Sequence, residues 1–479
     1  NPSNEANARG VVTDESGATL NLGSETDRVY WGMGILRATK TTSGNGTPQA
    51  TGTFNGSGTL SAYISDLEVG KGLRETKLPT VITSPQGNFA IAIIDLSNFA
   101  SALIDTDNLY LAVSEYNQGI SGTVRLGASS HLIVGNTVQI GVTKSMISST
   151  LDLREQATSS VVSGILTMVA GSRVEIGSTD NRSTVILGQN ATNGVLTNGT
   201  VTTSGSIVAT TGGTFSGYFS SLTLGKQTVV DATRNYQAIG VIDLRNATVT
   251  AFDVAGDVTI GYGGPTGGEG SVGALYLANT DAAVGGNLIV GDDKTGGGSQ
   301  ISSSGLLELT NTRMTVQGDV ILNHTGSVVV VANGASAGLV LSESSQLSIA
   351  TFGGYSITFE TEGVYGFAWE GDWVNELNDL IDQGYITWQN NTSIDINVFY
   401  DNLTGMTYIA SIPEAGLSVL WGAGLLSLYW GVPPESGPPF LTRKATLPNL
   451  PENLAADAAR FFLTLRRGKT DPNCDKPAP

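Results

Sequence analysis

Between residues 10 and 365 the chain is written in short runs that alternate large apolar side chains with small or polar ones and end in Gly, Asn or Asp. HLIVGNTVQIG (131–141), ILTMVAGSRVEIG (165–177) and STVILG (183–188) show the form. Alternation with a period of two reads as a strand buried on one face, and the terminal Gly, Asn and Asp read as turns. Most of residues 10–365 is therefore expected to be strand and turn.

The runs also repeat one another. Residues 273–291 (GALYLANTDAAVGGNLIVG) and 305–323 (GLLELTNTRMTVQGDVILN) align without a gap, 32 residues apart, with eight of 19 positions identical. Residues 240–261 (GVIDLRNATVTAFDVAGDVTIG) are a third, slightly longer copy. Within one copy the pattern predicts three strands, at 275–277, 283–284 and 288–290, with corners at Asn279-Thr280 and Gly285-Gly286. Short strands that meet at Gly and Asn corners at a fixed period predict a parallel β-helix, a β-solenoid whose inward Leu, Val and Ile stack from coil to coil. The all-β alternative is a pair of β-sandwich modules, which also needs many short strands with frequent turns; the gapless period favours the solenoid.

A longer duplication lies above the short one. GTLSAYISDLEVGK (58–71) matches GTFSGYFSSLTLGK (213–226) at eight of 14 positions, and IIDLSN (93–98) recurs as VIDLRN (241–246), at offsets of 155 and 148. This predicts two solenoid modules, 1–205 and 206–355. Composition then changes. Residues 369–383 place Trp373, Leu377, Leu380 and Ile381 on one helical face, with Asp372 as the expected N-cap and Gly384 past the end. This short helix, followed by strands in YITW and IDINVFY, predicts a cap over 356–411, which a solenoid needs to cover its last coil. A tail, 412–479, follows.

Charge and cysteine narrow the classes. Twenty-four basic residues stand against 42 acidic ones, a net charge of -18, which opposes binding to nucleic acid phosphates. The single cysteine, Cys474, excludes an intrachain disulfide framework and a cysteine metal cluster. The first ten residues lack a basic start and an apolar core, as expected where a signal peptide has been removed. Ten Asn-x-Ser/Thr sites, among them Asn45, Asn190, Asn246 and Asn402, fit a secreted or surface chain.

The tail suggests an address. Residues 415–432 (AGLSVLWGAGLLSLYWGV) run without a charge at the lower edge of what spans a bilayer, so membrane contact before processing is expected there. The passage TGMTYIASIPEAGLSVLWGAGLLSLYWG (404–431), a strand, a Pro-Glu dipeptide and an apolar segment, resembles the C-terminal sorting region of PEP-CTERM proteins, although the proline-rich VPPESGPPF intervenes before the basic pair Arg443-Lys444, which does not close the chain. Ala415 stands where a second proline is usual. The resemblance implies export, with Pro413 and Glu414 marking the sorting motif. The upstream repeats, rich in Gly, Asn and Thr, resemble autotransporter-like surface proteins in texture.

Catalytic candidates are few. Asn279-Thr280-Asp281, Asp292-Asp293 and His324 follow the order of the motifs of pectin-type hydrolases, whose chemistry needs paired carboxyl groups on one face. The Asp pair comes only 11 residues after Asp281, His324 lacks flanking glycines and no Arg-Ile-Lys follows. Moreover Asn279-Thr280 recurs as Asn311-Thr312, so the Asn-Thr is expected to be a corner device. His131 lies within a strand and is expected on the surface. Asp105, Asp107, Asp292 and Asp293 are candidates for weak calcium binding but lack the spacing of calcium-binding β-rolls; no other cofactor is expected. The chain thus reads as a non-enzymatic structural or adhesive protein of the cell surface or extracellular matrix, able to self-associate. The alternative is a polysaccharide-binding or polysaccharide-degrading β-helix that offers aromatic platforms at Tyr63, Tyr218, Tyr262 and Tyr276. Self-association or surface glycans are the expected partners.

Overall fold

The structure, a computed structural model, describes residues 8–14, 17–38, 49–74, 89–114, 119–144, 160–191, 200–227, 235–263, 270–291, 304–323, 326–331, 338–349, 356–359, 365–388 and 395–412. Residues 1–417 form one compact unit and 418–479 a second, and all described residues belong to the first. Pro413, Glu414, the apolar run 415–432, Asp292, Asp293 and His324 lie outside the described residues.

The chain winds as a parallel β-solenoid. Each coil gives one strand to a 12-stranded first wall that opens with Ala8–Asp14 and ends with Ile386–Trp388. It then turns through a second and a third wall. In the second, third, fourth and sixth coils one long strand runs round that corner: Thr59–Arg74, Ser101–Ser114, Ser130–Lys144 and Thr214–Gln227. Later coils split it in two, as in Asp281–Val284 and Leu288–Val290. The coil-to-coil pairing is parallel throughout, which a Greek-key sandwich cannot provide.

The 32-residue repeat seen in the sequence is the strand register itself. Gly273 pairs with Gly305, Leu275 with Leu307, Asp281 with Arg313 and Leu288 with Val320. The three predicted strands of this copy are present, the first extended to Ser271–Ala278. Because register holds, like residues stack. On the first wall an inner ladder runs from Phe54 and Ile94 through Leu166, Ile242 and Leu275 to Ile357 and Ile386, all at most 3% exposed. Each such side chain contributes about 1.5–3 kcal/mol by leaving water.

Two ladders of small residues close the coil along its narrow edge. One lies inside the first wall and includes Gly52, Ala92, Gly122, Gly164, Gly205, Gly240, Gly273 and Gly305. The other lies on the third wall, from Gly34 through Gly70, Ala112, Gly141, Gly188, Gly225 and Gly261 to Gly291, with φ between 52 degrees, at Ala112, and 89 degrees, at Gly291. The walls meet backbone to backbone there. A Cβ on Gly205 would collide with the Ile140 carbonyl and the Gly188 nitrogen, and a Cβ on Gly141 with the Ser204 carbonyl. Ala112 is the exception in a backbone region that costs an L-residue about 1–2 kcal/mol. Its methyl is buried with Ala90, Ile120 and Val162, which offsets much of that strain.

Polar ladders hold the corners. Asn279 and Asn311 adopt left-handed φ of 53 and 47 degrees, and the Asn311 amide donates to Asn279 Oδ1 at 3.2 Å. At the next corner Asp257 Oδ1 accepts from the Asn287 backbone N–H at 2.8 Å, Asn287 Oδ1 from Asp319 at 2.9 Å, and Asp319 Oδ1 from Gln346 at 3.0 Å. Each side chain satisfies the turn amide of the following coil.

The cap forms as expected, with one correction. Helix Val374–Asp382 buries Leu377 and packs Trp373, Leu380 and Ile381 against the core, and Gly384 ends it at φ 77 degrees. The N-cap is Trp373, not Asp372, and no side chain of its own caps the helix. Thr407 Oγ1 instead accepts the Trp373 N–H at 2.9 Å, while Asp372 Oδ1 stands 3.5 Å from the Val374 nitrogen. Tertiary packing of Trp373 on Trp369, ring centroids 4.3 Å apart, sets where the helix starts. Met406–Ile412 then pairs antiparallel with Tyr365–Glu370 on one side and with Asp395–Asp401 on the other. The stack itself runs through residue 205 without interruption, inside strand Thr200–Ala209.

The seam sets a testable contrast. Gly141→Ala is expected to destabilise the protein by about 3 kcal/mol, because backbone on both sides must move. Ala112→Gly, at the neighbouring position of the same ladder, is expected to stay within about 1 kcal/mol, as relieved strain and a lost buried methyl offset each other. Denaturant midpoints of the two variants measure it.

Candidate functional site: paired charges on the outer walls

A strand that faces inward with Leu and Val faces outward with everything else, so the chemistry of a solenoid lies on its outer columns. Three arginines there act in one way: each reaches across the next coil to an acid two coils on. Arg28 Nη2 lies 2.9 Å from Asp105 Oδ1, Arg28 Nη1 lies 3.4 Å from Asp107, and the same guanidinium donates to the Ile64 and Asp105 carbonyls. Arg182 makes a bidentate pair with Asp253, at 3.0 and 2.9 Å, and sits 6.0 Å from the Tyr218 ring centre between them. Arg245 is bidentate to Asp243 at 3.0 and 2.6 Å, covers Tyr276 at 4.2 Å and reaches Glu308 at 3.5 Å.

The Arg28 and Arg182 clamps follow the long duplication, whereas Arg245 stands opposite Ser97. Gly23 and Gly177, Arg28 and Arg182, Tyr63 and Tyr218, Lys71 and Lys226, Asp95 and Asp243, and Asp105 and Asp253 are pairs at offsets of 154, 154, 155, 155, 148 and 148. Each pair joins coils four turns apart. Nothing in the local sequence marks Arg28 or Arg182. They become legible only when LGSETDR is laid on IGSTDNR at the offset of 154.

Lysines cover two further rings. Lys71 lies 5.2 Å from the Tyr110 centre and is paired with Glu68, which also accepts from the Tyr30 hydroxyl at 2.6 Å. Burial, together with Asp66 and Glu68, raises the Tyr110 pKa above its ordinary value. Lys226 lies 5.4 Å from the Tyr262 centre. Tyr63 and Tyr218 are on the second wall, Tyr262 on the third and Tyr276 on the first. The four rings therefore line no common groove, and three of them lie under a cation.

The remaining candidates are placed as follows. His131 is half-exposed, with Nε2 2.8 Å from Glu175 Oε1, and Glu175 is also held by Arg173 at 2.6 Å. Asp105 and Asp107 share the Arg28 guanidinium, and Thr106 between them is buried and donates to the Asn108 carbonyl. Asp281 is exposed at the start of its strand, while Asn279 and Thr280 are corner residues; Thr280 Oγ1 donates to the Val249 carbonyl at 3.3 Å. Asn190 is buried, and Asn246 donates to the Ala209 and Thr210 carbonyls. Among the described residues no three His, Cys, Asp or Glu side chains are grouped to hold a metal, and no helix is long and apolar enough to cross a membrane.

Electrostatically, the Arg245 clamp favours the ionised form of Asp243. Burial raises the Asp243 pKa, but hydrogen bonds from the Arg245 side chain and backbone outweigh it and keep the carboxyl below the ordinary Asp value. Asp95 is lowered in the same way, against burial, by Ser97 and Arg125. The Arg245 guanidinium is held above its ordinary value by its hydrogen bonds to Asp243. Comparison with protein-family models, with curated proteins and with solved structures finds no match to this chain.

A depressed carboxylate stabilises the fold above its unfolded pKa of about 3.9 and loses that contribution as pH falls through the lower folded value. Arg245→Ala is accordingly expected to raise the Asp243 midpoint in the folded protein and leave that of Asp95 unchanged, read by carbon NMR of the carboxylates. A double-mutant cycle on Arg182 and Asp253, both partly exposed, is expected to give a coupling of about 1 kcal/mol.

Proposed function

We propose that the chain is an exported scaffold that serves at the cell surface or in an extracellular matrix as a structural or adhesive protein. The observation that carries this reading is the continuous stack, with inner ladders unbroken from end to end and Arg28, Arg182 and Arg245 engaged in cross-coil clamps. Such a body suits mechanical load. Force along the axis is shared by hydrogen bonds, apolar ladders and arginine braces in every coil, so no single contact has to carry it. The outer columns leave Ser, Thr and Asn for contact with copies of the chain or with surface glycans. The Pro413-Glu414 motif and the apolar run after it support the address.

The test is the intact mass of the native protein in membrane, surface and medium fractions of the producing cell. A surface or medium species ending near Pro413 is the expected outcome. A single full-length species inside the cell would contradict it.

A further inference from the structure

The two ends of the solenoid are finished differently. At the C-terminal end helix Val374–Asp382 and the antiparallel pair Asp395–Asp401 and Met406–Ile412 cover the last coil, and the inner ladder closes at Ile386, 1% exposed. At the other end, among the described residues, strands Ala8–Asp14, Thr19–Leu22 and Val29–Ala38 each pair on one side only. The same inner ladder ends there at Val12, 56% exposed, beside Val11 at 52% and Tyr30 at 56%. A groove of about 340 Å³ lined by Val12, Trp31, Met33 and Phe54 opens at this end. Leu20, Leu22, Trp31 and Met33 pack against the core from this coil while staying partly exposed.

Natural edge strands are protected by inward charges, Pro or bulges that turn the edge away. Here the inner positions at Val12, Leu20, Leu22, Trp31 and Met33 are apolar, no Pro occurs in the three strands, and Thr19–Leu22 carries no charge. The structure assigns this end to a partner, and we propose that the partner is the same end of a second copy, joined about a two-fold axis by antiparallel strand pairing. A head-to-tail filament would need an open coil at the far end, where the described residues form the cap. A two-fold contact needs only what this end already offers: apolar inner residues meet their own kind, and antiparallel pairing keeps inner side chains inside on both copies. Size agrees as well. Strands of 7, 4 and 10 residues at ~3.3 Å each form a layer ~10 Å deep, which gives roughly 700 Å² per copy against ~800 Å² in a standard stable interface. The inference goes beyond the scaffold reading and holds whatever the cellular address.

Sedimentation equilibrium of the 479-residue chain tests it, with Val12→Lys as the disrupting variant. The lysine is tolerated in a monomer, where the position is exposed, and is buried unpaired in the dimer. The wild type is expected at twice the 49.5 kDa chain mass, with dimer association weakened at least tenfold in Val12→Lys at unchanged circular dichroism. A second variant, Val11→Cys in a Cys474→Ser background, is expected to give a disulfide-linked dimer on oxidation. A monomer at tens of micromolar, an open-ended series of masses, a dimer indifferent to Val12→Lys, or absence of the cross-link would each overturn the proposal. So would a monomer whose Val12 amide is protected from exchange, since the chain itself would then cover the end.

Discussion

The fold depends on one close approach: the first and third walls meet backbone to backbone along a seam of glycines. Where Gly141 and Gly205 stand, a Cβ would meet backbone and force that edge apart, although Ala92 and Ala112 are accommodated in register. The seam interlocks two coils apart, since the Cα of Gly34 faces the Ile91 carbonyl, that of Gly188 the Ile239 carbonyl and that of Gly261 the Ser304 carbonyl. Left-handed φ at the third-wall position is what lets the chain lift over this contact, and glycine adopts it without strain. The wide part of the coil has no such limit. Aliphatic ladders fill it, and aromatic pairs such as Phe219 and Phe252, 5.3 Å apart, take up the larger space.

Parallel stacking has a second consequence. Identical outer positions repeat at the strand spacing of about 4.8 Å, so like charges would be driven together. The chain avoids this by alternating character along a column. Asp243, Tyr276 and Glu308 succeed one another in register, and Arg245 lies across all three. Arg182 does the same over Tyr218 toward Asp253. The aromatic ring separates the charged coils and gives the guanidinium a surface. These clamps add little energy singly but act in series along the rod.

Much of this was legible in the sequence. The gapless repeat of 273–291 in 305–323 is the register, and the Asn279-Thr280 and Asn311-Thr312 steps are corners because their spacing repeats with it. The cap helix showed in its apolar stripe, with its start displaced by one residue because Trp373 and Thr407 meet only in the folded cap. The seam was hidden for a physical reason. A glycine inside a strand and one at a strand end look alike in a linear chain, and only stacking shows that Gly141 and Gly205 face each other. The Arg28 and Arg182 clamps were hidden because their partners lie 77 and 71 residues away, distances that no local pattern spans. The tail from Pro413 onward lies outside the described residues, so its sorting motif rests on resemblance.

Backbone amide exchange along the whole chain tests the central claim most directly. If the glycine seam governs closure, the amides that follow it, such as Gly291 bonded to the Ile260 carbonyl at 2.8 Å, will be among the slowest in the protein, as slow as the inner first-wall strands. Fast exchange at residues 141, 188, 225 and 261 between protected strands would show that the coils are held without the seam, and would contradict the account.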